Sequence, residues 1–259
     1  MGKPFMLDSL DKFPNESLSL TGLFKSGGIF PDFNDSLTIQ KDYSLGFIRN
    51  TPSNGFNIYG QTANYDNEIR LSNEGLKGSG SIAFFTSTAL SEDITFFPDS
   101  VAAIAHTYTN EKKDLDPEIP YVKGANCKVT YIPNENLFHA KSIEDKFIFF
   151  DNEEANLSGE ITLGFDGMLG NGVMRFGKGE VQSFEYSYET DAILADTSDF
   201  RLVSSEEDLD ALAFKTQNLN ARVDFGTRIG EFKSNSGESF VTFPENQYIC
   251  FMDKFNWYM

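Results

Sequence analysis

A shift of 92 positions lays residues 69 to 103 on residues 161 to 195 with nine identities in 35 pairs, against roughly two expected from ordinary residue usage. Ile69 meets Ile161, Leu71 meets Leu163, and Gly75, Gly78 and Gly80 meet Gly167, Gly170 and Gly172. Phe84 then falls on Phe176, Ser91 on Ser183, Asp99 on Asp191 and Ala103 on Ala195. Each copy is an apolar-x-apolar strand, an acidic-Gly turn (Glu74-Gly75 or Asp166-Gly167), then Gly-x-Gly leading into a second strand. Glycine supplies the positive φ of a tight turn, and beside a strand it permits a bulge or the close approach of another backbone. The six glycines are therefore read as structural turns of a hairpin used twice. Gly75-x-x-Gly78-x-Gly80 has a superficial likeness to a phosphate loop, but no helix follows to aim its N-terminus at a phosphate.

The dominant period elsewhere is two. Leu219, Ala221, Val223 and Phe225 share one face of a strand, Phe184, Tyr186 and Tyr188 share another, and Ile249, Phe251, Phe255 and Trp257 a third. With 26 Phe and 10 Tyr, the composition suits pleated, half-buried surfaces. The fold expected is all-β, with repetitive stacked β-units forming a solenoid or elongated sandwich, or an ordinary two-sheet sandwich as the alternative. The best helical signal is Ser205 to Leu212, where Ser205 can cap an acidic first turn. Asn110 to Pro120 combines charge with two prolines and reads as an exposed connection. It divides the chain into a β-rich unit 1–113 holding the first copy and an acidic β-rich unit 114–259 holding the second.

Chemistry is sparsely encoded. A net charge of −18 repels phosphate backbones and anionic lipid, which argues against nucleic acid and against membrane insertion. No segment approaches the length of a membrane-spanning helix, and the first residues lack the apolar stretch of a signal peptide. Cys127 and Cys250 are read as two buried free thiols. Nucleophilic catalysis would need a Ser or Cys near His106 or His139, and there is no GxSxG elbow. The two Cys and two His have no zinc-ligand spacing, and the acidic runs at Asp32 to Asp35 and Glu206 to Asp208 match no calcium loop. No catalytic residue, metal ligand or cofactor is therefore assigned. Paired carboxylates for glycoside hydrolysis have no motif among 39 acids. Tyr108, Tyr186, Tyr188, Trp257 and Tyr258 are the candidate ligand-contact aromatics, because their rings carry a polar handle suited to stacking on sugars.

Several short motifs carry a resemblance: Phe96-Phe97-Pro98-Asp99-Ser100 after the glycine hairpin, Gly28-Ile29-Phe30-Pro31-Asp32-Phe33, Asp42-Tyr43-Ser44-Leu45-Gly46-Phe47, and Phe243 to Tyr248 running to Phe255-Asn256-Trp257-Tyr258-Met259. Together they resemble large repetitive secreted or cell-envelope proteins of Bacteroidetes whose function is uncharacterised. The resemblance implies a portion of a longer parent chain, exported or held in the envelope, and transfers no site residue. The expected function is a non-catalytic β-rich module with a structural or protein-interaction role, its partners the rest of the parent chain and envelope proteins or glycans. A carbohydrate-binding module is the alternative, and a carboxylate-dependent hydrolase the third reading.

Overall fold

The structure is a computed structural model that describes residues 18–60, 62–204, 211–237 and 239–259. Its strands are β1 (Ser19–Phe24), β2 (Phe33–Ile39), β3 (Leu45–Asn50), β4 (Phe56–Asn57), β5 (Asn64–Ser72), β6 (Gly75–Phe84), β7 (Ser87–Phe96), β8 (Val101–Ala105), β9 (Thr107–Asn110), β10 (Val122–Gly124) and β11 (Cys127–Ile132). They continue as β12 (Leu137–Lys141), β13 (Phe147–Phe149), β14 (Asn152–Gly164), β15 (Gly167–Phe176), β16 (Gly179–Tyr188), β17 (Ala192–Val203), β18 (Leu212–Asp224), β19 (Ile229–Ser234), β20 (Ser239–Phe243), β21 (Tyr248–Met252) and β22 (Lys254–Tyr258). The fold is all-β, and no helix occurs among the described residues. Residues 205–210 of the helical signal at Ser205 to Leu212 lie outside them; Ala211 is in no regular element and Leu212 begins β18.

Every ladder is antiparallel, and the strands are joined as an extended meander. Within it, β7, β8, β11, β12, β14, β13, β10 and β9 pair in succession and β9 returns to β7, which closes an eight-strand ring. The other fourteen strands lie outside this ring. The all-β expectation is met in this form. The segment 111–121 joins β9 to β10, whose strands are ladder partners. It is not simply an exposed connection: Asn110 and Ile119 are fully buried, and Asn110 Nδ2 donates to Pro120 O at 2.7 Å.

Only one face of the meander is buried, so the sheet has to roll to cover it. Rings from strands that share no ladder meet inside the roll: Tyr108 of β9 stacks on Phe138 of β12 at 6.2 Å, Phe84 of β6 on the same Phe138 at 6.4 Å, and Phe149 of β13 on Tyr188 of β16 at 5.0 Å. Aromatic area of this kind dominates such cores.

The glycine hairpins β5–β6–β7 and β14–β15–β16 carry matched registers. Ile69 faces Gly78 as Ile161 faces Gly170, and Gly80 faces Ser91 as Gly172 faces Ser183. Both ladders slip at the same place, between Gly78 and Gly80 and between Gly170 and Gly172. Gly80 and Gly172 sit there at φ of 152° and 121°, and a Cβ on them would come within 2.1 Å of Asp66 O and 2.3 Å of Ser158 O. The slip is a bulge on β7 and β16, closed by Ser91 Oγ donating to Ile104 O and Ser183 Oγ donating to Thr197 O, each at 2.8 Å. It also corrects the sequence reading of β16. The extra residue turns Phe184 out to 94% exposure while Tyr186 and Tyr188 turn in, so the three rings do not share a face.

Candidate functional site

Three of the five aromatics picked out as ligand contacts belong to the core. Tyr108, Tyr186 and Tyr188 are buried, the last two after the β16 bulge has exchanged the faces of that strand. The Tyr108 hydroxyl bonds to Ser87 Oγ at 2.8 Å and Tyr186 Oη donates to Val181 O at 2.7 Å. Burial holds all three phenols above their ordinary pKa, so they are packing groups that stay protonated. The C-terminal alternation is also divided in two. Ile249 and Phe251 on β21 are exposed, whereas Phe255 and Trp257 on β22 pack against the core.

Trp257 and Tyr258 meet in one cleft. It encloses about 320 Å³ between the β15–β16 turn and the end of β22, with Phe176, Gly177, Lys178, Leu202, Phe225, Trp257 and Met259 among its walls and Asn152, Glu154, Arg228 and Tyr258 also lining it. That volume is at the small end of ligand sites, and an apolar floor with a few polar groups is their usual chemistry. Trp257 is seated by Phe176, whose ring lies 5.0 Å away, and by Gly179, where a Cβ would come 2.6 Å from the indole. Tyr258 is 71% exposed. Arg228 Nε donates to Met259 O at 3.1 Å and Lys178 Nζ to Ser204 O at 3.4 Å. Neither cation is ion-paired among the described residues, and each keeps further N–H donors. Asn152 Oδ1 accepts from Glu154 N at 3.1 Å, which leaves the Asn152 amide group free to donate.

The matched hairpins differ beside the cleft. Gly177 follows Phe176 as Phe85 follows Phe84, 92 positions earlier, and both residues turn the chain at nearly the same backbone angle, φ 56° and 54°. Trp257 stands 92 positions after Phe165 in the sequence, but it lies opposite Gly230 as Leu163 lies opposite Phe138, so in the ladders it takes the place of Leu163. In the first hairpin, Phe165 packs on Phe84 at 5.2 Å and on Phe85 at 5.4 Å. In the second, Phe176 is packed by Trp257 at 5.0 Å and by Phe225 at 5.9 Å, and Gly177 stands at the position that Phe85 holds in the first. Sequence reasoning picked out Trp257 and Tyr258 but missed Lys178, Arg228 and Gly177. The last was detectable as a mismatch in the same 92-residue shift that reveals the glycines.

Other candidate chemistry does not assemble. Of the six glycines read as turns, Gly75 and Gly167 directly follow the hairpin turns, whereas Gly78, Gly80, Gly170 and Gly172 lie within β6 and β15, and no group of three or more potential metal ligands gathers among the described residues. Cys127 is buried and unpaired, its thiol pushed up to about 11 by burial. Cys250 is unpaired but half-exposed, contrary to the expectation of two buried thiols. His139 Nδ1 bonds Thr162 Oγ1 at 2.9 Å. A wider groove brings together Asp116, Glu118, Glu135, Asp166 and Glu189, yet Glu118 is tied to Thr190 Oγ1 at 2.7 Å and Glu189 grips Arg222 with both oxygens at 2.7 and 2.6 Å. Asp35 is engaged by Arg49 at 3.4 Å. No family model, no curated protein and no solved structure matches this chain.

Proposed function

We propose that this chain is a non-catalytic β-rich binding module of a larger cell-envelope or exported protein, and that it holds a carbohydrate ring in the Trp257 cleft. The observation that carries the reading is the aromatic-walled cleft at the second hairpin, where Gly177 stands at the position that Phe85 holds in the first. A sugar presents C–H faces to an indole and hydroxyls to a polar rim, and Trp257 with Asn152, Glu154, Lys178 and Arg228 offers both. Two cations against one carboxylate, on a chain of net charge −18, favour a sugar that carries a carboxylate over a neutral one.

The test is a glycan array followed by calorimetric titration of the best ligands. The native chain is expected to bind uronic-acid oligosaccharides. Gly177→Phe, whose side chain would occupy the cleft at a backbone angle that Phe85 already adopts, is expected to abolish binding with the unfolding midpoint unchanged. A blank array at high micromolar protein, or full binding by Gly177→Phe, would sink the reading. The structural and protein-interaction role remains the second reading, favoured by the uncovered sheet edge at β21 and β22.

A further inference from the structure

The matching of ladders does not stop at the glycine hairpins. A constant 92 positions separates Phe96↔Val101 from Tyr188↔Ile193, Lys123↔Thr109 from Lys215↔Arg201, Val129↔Ala103 from Ala221↔Ala195, and Val129↔Ala140 from Ala221↔Phe232. Thus β17 takes the place of β8 and β9 together, β18 that of β10 and β11, and β19 that of β12. With a slip of two residues, Phe138↔Leu163 corresponds to Gly230↔Trp257 and Val122↔Phe149 to Thr216↔Val241. Upstream, with a slip of one, Thr38↔Gly46 corresponds to Tyr131↔Phe138, Phe47↔Leu71 to His139↔Thr162, and Phe56↔Tyr65 to Phe147↔Leu157. One ladder pattern therefore passes along the chain, and its β11–β12–β13 stage occurs three times.

Within that pattern β14 has a fixed position. Its first half pairs with β13 and its second half with β12, and its opposite edge is covered by β15 from Ala155↔Phe176 to Gly164↔Gly167. The counterpart of β14 is β21 and β22 placed end to end, β21 on β20 and β22 on β19. Their opposite edge has no partner among the described residues. β21, Tyr248–Met252, carries no charged side chain, and Ile249 and Phe251 on it are each 59% exposed. Edge strands that face water are ordinarily blunted by charge, proline or bulges.

We propose that the outer edge of β21 and β22 is an interface for a further unit of this same ladder pattern, docked through a glycine-spaced hairpin of the β15–β16 kind. The main-chain donors and acceptors of β22 supply the attachment, as in strand addition to an exposed edge. The hairpin's small residues let the two backbones approach, as Gly170 and Gly172 do beside β14.

The experiment appends a second copy of residues 168–259 directly after Met259 of the full chain and follows main-chain amide exchange in β21 and β22. Protection of Lys254 to Tyr258 rising at least tenfold over the unextended chain is the expected result. Val replacing both bulge glycines, Gly170 and Gly172, in the appended copy alone is expected to remove that gain. Three results would overturn the proposal. One is an appended unit that folds while β22 stays open. Another is an appended unit that remains protease-sensitive along its length, since a unit that docks in this register has to fold on β22. The third is an unextended chain whose β22 amides gain protection as concentration rises, which would make a second copy of the chain the occupant.

Discussion

A methyl group at position 172 has nowhere to go. Gly172 combines a φ of 121° with a Cβ position 2.3 Å from Ser158 O, so both the backbone conformation and the neighbouring strand reject a side chain. Gly172→Ala is expected to lose about 2 to 4 kcal/mol of stability in urea unfolding, from strain and displaced backbone. Gly177 also has a positive φ but meets nothing within 4 Å, so Gly177→Ala is expected to cost about 1 kcal/mol or less. Equal losses at the two sites would show that backbone angle alone sets the requirement. At this scale the sequence was legible where chemistry leaves one choice: glycine at a bulge reads directly from its spacing. Lys178 and Arg228 were not legible, because a cation's partner is set by strands far apart in the chain.

Alternation specifies a strand and its faces until a bulge inserts one residue and exchanges them, which is how Phe184 of β16 came to face water while Tyr186 went to the core. The later strands of the pattern hide for another reason. β18 and β19 keep the registers of β11 and β12 with few identical residues, since a ladder asks only for inward apolar and outward polar side chains. Between β15, β16 and β17 this permissiveness has a limit at Glu180, whose side chain is 7% exposed. Burial raises its pKa, but hydrogen bonds from Arg201 and Arg175, the latter at 2.6 Å, outweigh burial and hold the carboxyl below the ordinary glutamate range. The folded state therefore binds this proton more weakly than the unfolded chain does. The stabilisation is present above the ordinary glutamate range and is lost as pH falls through the folded value. Glu180→Gln is expected to cost about 2 kcal/mol at neutral pH, and its deficit relative to the native chain is expected to shrink in acid. A pH-independent deficit would assign the loss to packing.

For the whole molecule, the uncharged edge at β21 is of the kind that promotes association in solution. Phe240 and Phe251 pair across β20 and β21 with rings 4.7 Å apart, both largely exposed, beside main-chain groups that have no ladder partner among the described residues. Ile249→Lys is expected to raise the concentration at which light scattering detects association, with the unfolding midpoint unchanged within about 0.5 kcal/mol. Unaltered scattering would place the association elsewhere. The antiparallel meander has its own consequence for how the chain acquires its shape. No ladder among the described strands joins elements more than three places apart in chain order, so every described strand after β1 except β4 finds a partner already made as it leaves the ribosome. The entropy lost at each closure is that of a short loop. Assembly can advance in the direction of synthesis, with only a few strand edges waiting for a neighbour at any stage.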